Sequence, residues 1–203
     1  MYLRMMLGLV HRALNCPDLN TGQFTHYLHS DDPHSLSHNN VKCLYFDRKR
    51  QMLWIGTHLG GLNSLDLRTQ RFTRYVYKVN GKPKELANIV CGIVPHDDEL
   101  LLATHDGVYS FNVEQERFIP LFQGAREEER IALALALQFD LNGRLWIAGA
   151  QQGAYCYDFG SHQLKLYSHH GEQPSSLSSN GANSSQLHEE GRLRFCLAET
   201  GLD

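Results

Sequence analysis

Leu53-Trp54-Ile55-Gly56-Thr57, followed closely by Gly60-Gly61-Leu62-Asn63-Ser64-Leu65-Asp66, is the stretch that decides the fold, because it comes back along the chain. Laid against itself, the sequence repeats at about 46 to 48 residues. Leu100-Leu101-Leu102-Ala103-Thr104 and Leu145-Trp146-Ile147-Ala148-Gly149 are copies of the first element, and Leu193-Arg194-Phe195-Cys196-Leu197 is a decayed one. The second element returns as Gly107-Val108-Tyr109-Ser110-Phe111-Asn112 and Gly153-Ala154-Tyr155-Cys156-Tyr157-Asp158, with a fourth copy over 13–18. The closing residues Asp18, Asp66, Asn112 and Asp158 are 48, 46 and 46 residues apart. After each comes a pair of large side chains with two residues between them: Phe24 and Tyr27, Phe72 and Tyr75, Phe118 and Leu121, Leu164 and Tyr167.

Each unit reads as four short strands, a to d, separated by turn chemistry. In the best-preserved unit the strands are Val41–Asp47, Met52–Thr57, 61–66 and 71–77, and Gly60-Gly61 supplies the positive φ of a tight b-to-c hairpin. The stretch 131–137 is rich in the helix formers Ala and Leu, but its register against Val41–Asp47 and its large-small alternation assign it to strand a. A four-stranded antiparallel unit with two faces to bury is most simply a β-propeller blade. The expected fold is therefore all-β, as a single propeller segment over 1–203: a partial blade at 1–30, blades at about 39–77, 88–122 and 131–168, and a partial blade at 180–203. Trp54 and Trp146 on strand b are expected to fill the wedge between sheets.

Composition narrows the function classes. With 203 residues the chain is long enough to bury about 70% of its unfolded surface. No apolar run approaches the roughly 18 residues of a membrane span, and a net charge of -3 offers no polyanion-binding field. Five scattered cysteines contain no Cys-x-x-Cys pair, and Cys43, Cys91 and Cys156 sit in apolar runs as small hydrophobes. The first ten residues carry one Arg and a short apolar patch without a cleavage site, so no signal peptide is expected within the chain.

Pro33-His34-Ser35-Leu36-Ser37-His38-Asn39-Asn40-Val41, with Leu53-Trp54-Ile55-Gly56-Thr57, Gly60-Gly61-Leu62-Asn63 and Phe72-Thr73-Arg74-Tyr75, resembles the two-component regulator propeller repeat. Pro174-Ser175-Ser176-Leu177-Ser178-Ser179-Asn180 begins a further copy. The resemblance implies a non-catalytic segment of the periplasmic sensor of a hybrid two-component regulator, of the kind that senses oligosaccharides in Bacteroides-like bacteria, either binding an oligosaccharide-like ligand or mediating assembly of the sensor as a dimer. It also implies an incomplete propeller, since sensors of this family carry more blades. Both ends depart from the pattern: Arg194 stands where Trp is expected, and Pro17 interrupts strand c of the first unit.

In an antiparallel meander the b-to-c turns and d-to-a connections share one face. That face receives His58 and His105 at equivalent turns, Gln151 and Gln152 at the next, and His11, His29, His34, His38, His169 and His170. Imidazoles and carboxamides donate and accept hydrogen bonds without demanding a counter-charge, which suits a neutral polyol. His38, His58, His105, Gln151 and Gln152 are the candidate ligand contacts for an oligosaccharide-like molecule, with Tyr27, Tyr75 and Tyr109 as candidate stacking rings. Their ordinary reading is solvated loop polarity. No metal, cofactor, nucleic acid or membrane contact is expected, and no catalytic residue; association between copies through open blade edges is. The rival reading, a propeller lyase or hydrolase acting on sugars or cyclic peptides, has His58 with Glu199 or Asp106 as its best acid-base pair. A third reading is a truncated gene remnant.

Overall fold

The side chains that close the repeat are the ones that shape its turns. In the computed structural model, which describes residues 14–18, 20–122, 131–171, 173, 175–187 and 192–198, Asp18 Oδ1 accepts the N–H of Asn20 and Asp66 Oδ1 that of Arg68, each at 2.8 Å. Asn112 Oδ1 accepts from Gln115 and Asp158 Oδ1 from Ser161, at 2.8 and 2.9 Å. A carboxylate or amide that caps its own turn makes a c-to-d reversal without help from the rest of the fold. Backbone hydrogen bonds, led by those from Asn20, Arg68 and Ser161, hold the Asp18, Asp66 and Asp158 carboxyls below the usual carboxylate range.

The chain divides into two units, 1–89 and 90–203. In the first, the hairpin β1 (Leu14–Pro17) and β2 (Phe24–Tyr27) precedes the sheet β3 (Val41–Asp47), β4 (Met52–Thr57), β5 (Leu62–Asp66) and β6 (Arg71–Tyr75), paired in chain order. Pro17 is the last residue of β1, paired with Phe24 at the hairpin end. A small hairpin, β7 (Lys78–Val79) and β8 (Lys82–Pro83), and a 3-10 turn at Glu85–Asn88 follow. The core joins Leu14 of the hairpin to Leu53, Ile55, Leu65 and Phe72 of the sheet, with the loop residue Leu36 fully buried among them.

The second unit contains β9 (Val90–His96), β10 (Glu99–Thr104), β11 (Gly107–Asn112) and β12 (Arg117–Pro120); then β13 (Ala134–Phe139), β14 (Leu145–Gly149), β15 (Gly153–Asp158) and β16 (Gln163–Tyr167); then the pair β17 (Gly181–Leu187) and β18 (Leu193–Ala198). Leu101, Ala103 and Val108 of one four-stranded sheet pack with Leu137, Leu145, Ile147 and Tyr155 of the next. The Trp146 ring lies on the opposite side of β14 from Leu145 and Ile147, as strand alternation requires, and meets Phe195 of β18 with centroids 5.8 Å apart.

Every first strand carries a bulge at the same place. Lys42, Cys91, Leu135 and Asn183 are each skipped in the pairing with the neighbouring strand b. The extra residue sharpens the local twist and shifts every preceding side chain by one face. The strand in 131–137 therefore begins at Ala134 and runs to Phe139, and the alternation across Leu135 does not translate into alternating faces. The two tryptophans also differ: Trp54 is buried, whereas Trp146 is half-buried, stacks on Tyr167 at 5.2 Å and donates from Nε1 to Asp140 Oδ2 at 2.9 Å. Of the three cysteines read as core, Cys156 is buried and Cys43 and Cys91 are half-buried. His11 and Glu199 lie outside the described residues.

Candidate functional site

The residues of the repeat motif build a frame before they build a site. Asn63, fully buried on β5, accepts the Ser37 N–H through Oδ1 at 2.9 Å and donates from Nδ2 to Ser37 Oγ at 2.8 Å. Ser37 Oγ lies 3.3 Å from Thr57 Oγ1, which donates to the Gly61 carbonyl at 2.9 Å. Thr104 repeats that last bond to Gly107 at 2.8 Å. Gly60 is packed so closely that a Cβ would strike Ser37 Oγ, and would lie 2.7 Å from Thr57 Oγ1 and 2.9 Å from the His38 Cβ. The motif thus clamps the d-to-a loop onto the b-to-c turn.

The loop 29–40 is itself a closed structure. His29 donates from Nδ1 to the Leu36 carbonyl (2.9 Å) and gives its backbone N–H to Asn39 Oδ1 (2.7 Å). Ser35 Oγ donates to Asp32 O at 2.9 Å and accepts from the Ser30 N–H at 2.9 Å. Arg74 on β6 holds the front of the loop, with Nε on Ser35 O at 2.8 Å and Nη2 on Asp32 O at 2.8 Å. The loop 169–180 has the same bonds: His169 Nδ1 to Leu177 O at 2.6 Å, His169 N–H to Asn180 Oδ1 at 2.6 Å, and Ser176 Oγ donating to Gln173 O at 2.8 Å. His29 and His169 are thus the fasteners of a repeated loop. Their common placement ahead of Ser-Leu-Ser and Asn was visible in the sequence as a second repeat signal.

Of the candidate ligand contacts in the first unit, the fold brings His38 and His58 together. Their rings meet edge to face with centroids 6.0 Å apart, and the His58 N–H donates to the Asn40 carbonyl at 2.9 Å. His38 Nδ1 accepts the Asn40 N–H at 3.0 Å, so in the neutral ring the proton is assigned to Nε2. His58 Nδ1 is buried with no partner among the described residues. The His38 ring then has an Nε2–H to offer. Burial lowers the His38 pKa, and the neighbouring His58 and His29 lower it further.

In the second unit His105 and Gln151 and Gln152 lie on neighbouring b-to-c turns, and Leu133 ties those turns together. Its N–H donates to the His105 carbonyl at 3.2 Å, and its carbonyl accepts the Ala150 N–H at 3.1 Å. Gln151 is exposed; Gln152 is half-buried, its Oε1 accepting from the Tyr155 hydroxyl at 2.6 Å, which leaves its amide NH2 as the free end. The candidate stacking rings are committed to packing. Tyr109 is buried with its hydroxyl on Asp106, Tyr75 packs on Trp54 at 5.8 Å, and Tyr27 sits edge-on to Phe72 at 5.5 Å. Among the described residues no three His, Cys, Asp or Glu side chains gather as a metal site.

Four-stranded antiparallel sheets with recurrent bulges and capped turns define this chain as β-propeller blades. Residues 35–58 match the two component regulator propeller family, so the chain carries that repeat. Among solved structures it is similar to the extracellular domain of the hybrid two component system BT3049 from B. thetaiotaomicron, with TM-score 0.75 and 19% identity, covering 94% of this chain and 25% of that one. The corresponding domain of BT4673 from the same organism gives TM-score 0.73 and 15% identity, with 91% and 24% coverage. Virginiamycin B lyase from Staphylococcus aureus gives TM-score 0.63 and 13% identity, with 91% and 56% coverage. The chain spans about a quarter of the length of the two sensor domains. No curated protein matches it.

Proposed function

We propose that this chain is a non-catalytic part of the periplasmic sensor of a hybrid two-component regulator, and that its b-to-c and d-to-a loops recognise a neutral, oligosaccharide-like ligand. The observation that carries the reading is the family repeat at 35–58, whose own residues fasten the loop that presents His38 beside His58. In the first unit the His38 Nε2–H serves as a donor to a sugar oxygen with the His58 imidazole beside it; in the second, taken by itself, His105, Gln151 and the Gln152 amide offer uncharged partners. Aromatic stacking plays no part in this version of the site.

The lyase reading finds less support. Of the acids offered for it, Asp106 already receives the Tyr109 hydroxyl within its own turn.

Calorimetric titration of the chain with a panel of neutral oligosaccharides tests the proposal. We expect binding that changes little with salt, because no ion pair is screened, that survives a chelator, and that weakens in His58→Ala or His105→Ala by about 0.5 to 1.5 kcal/mol per lost bond. Cleavage products in the titrated mixture, affinity that only an added metal restores, or full affinity in both variants would overturn it.

A further inference from the structure

The two copies of the d-to-a loop differ at one informative position. Aligned on His29 with His169 and Asn39 with Asn180, residue 38 corresponds to 179 and residue 40 to 181. Both loops need an acceptor at the first of these for the backbone N–H two residues on. In the second copy the acceptor is Ser179 Oγ, 3.1 Å from the Gly181 N. In the first it is His38 Nδ1, 3.0 Å from the Asn40 N. A hydroxyl remains an acceptor at any ordinary pH. An imidazole loses its acceptor nitrogen on protonation and becomes a donor at both nitrogens, which sets N–H against N–H.

We propose that His38 makes the end of the loop 29–40 a proton-sensitive latch, closed while the ring is neutral and released when it is protonated. The consequence passes directly to the b-to-c turn, since Asn40 holds the His58 N–H through its carbonyl. The front of the loop stays in place, because Arg74 bonds the carbonyls of Ser30, Asp32 and Ser35. The titratable groups that act on His38 are His58 from the b-to-c turn and His29 from the head of the loop, both imidazoles that disfavour its cation. Partial burial is the larger cause acting in the same direction. A folded-state pKa below the ordinary imidazole value of about 6.5 means that the latch is intact above that pH and is lost as the pH falls through the lower value. The inference needs no ligand and is separable from the sugar-binding reading.

Amide hydrogen exchange on the whole chain between pH 7.5 and 5, expressed as protection factors to remove the intrinsic pH dependence, tests it with a built-in control. Protection at Asn40 should fall by roughly tenfold for each pH unit below the His38 pKa, while protection at Gly181 stays level. In His38→Ser, which installs the acceptor of the other copy, protection at Asn40 should become level too. Imidazole nitrogen shifts at high pH should report His38 in the Nε2–H form. Level protection at Asn40 in the unaltered chain, a parallel fall at Gly181, an undiminished fall in His38→Ser, or an Nδ1–H tautomer at high pH would each overturn the latch.

Discussion

Trp54 and Trp146 occupy the same place in the repeat and do different work. Trp54 is 1% exposed, so Trp54→Ala removes a fully buried ring and should cost about 3 to 5 kcal/mol. Trp146 keeps part of its surface in water and is held by the Asp140 carboxylate, which also receives Arg144 Nε at 2.8 Å. Trp146→Ala should therefore cost less than Trp54→Ala, and Trp146→Phe, which loses the bond to a charged acceptor together with part of the ring's packing on Tyr167 and Phe195, about 1.5 to 3 kcal/mol for the bond alone. Urea midpoints of the three variants measure the order; equal losses for the two alanine substitutions would contradict it. Asn63 makes a comparable case without a ring. Asn63→Ala leaves the half-buried Ser37 N–H without its acceptor and takes one of two partners from the Ser37 hydroxyl, which should cost about 1 to 3 kcal/mol, measured in the same way.

Turns carry the pH response of the blades. Burial pushes the Asp47 and Asp140 carboxyls up, but the N–H groups and side chains of Arg50 in one case, and of Trp146, Arg144 and Asn142 in the other, outweigh it and leave both below the usual range. Asp18, Asp66 and Asp158 are lowered chiefly by turn N–H groups. A carboxyl whose folded pKa is depressed stabilises the fold above its unfolded pKa, about 3.9 for Asp, and that contribution is lost as the pH falls through the folded value. Thermal melts should thus be level with respect to these groups from pH 7 to 5 and drop between about pH 4 and 2. Asp66→Asn keeps an acceptor for the Arg68 N–H and should flatten part of that acid loss; an unchanged acid profile would remove Asp66 from the account. The recurrent bulge belongs to this scale too, placed by the closure of each sheet's loop end and without a residue type of its own: Lys, Cys, Leu and Asn fill it.

At the scale of the chain, the described residues are sheet throughout except for turns, loops and the short 3-10 segment at Glu85–Asn88. Far-ultraviolet circular dichroism should show sheet with little helix; a helical fraction above about 20% would contradict the blade architecture, since average domains hold about a third. The hairpins β1–β2 and β17–β18 are two-stranded among the described residues, and unpaired strand edges template further pairing. The chain in isolation should therefore self-associate, which sedimentation velocity across a concentration series reads directly. A monomer at all concentrations would show that these edges are covered.

The spacing of Asp18, Asp66, Asn112 and Asp158 and the Leu-Trp-Ile-Gly-Thr copies determined the strands, the turns and the blade architecture by themselves, because capping and strand alternation are local and act between residues a few positions apart. His38, His58, His105, Gln151 and Gln152 were legible only as polar residues of b-to-c turns and d-to-a connections. Their roles were not. Whether an imidazole faces a ligand or fastens its own loop depends on the carbonyl that lies within 3 Å of it: Leu36 O for His29, Leu177 O for His169. Tyr75 and Tyr109 looked available until Trp54 and the Asp106 turn closed on them, and the bulges at Lys42, Cys91, Leu135 and Asn183 broke the alternation from which burial is read. These outcomes are set by how loops close on themselves and strands pack on their neighbours, which only the tertiary structure decides.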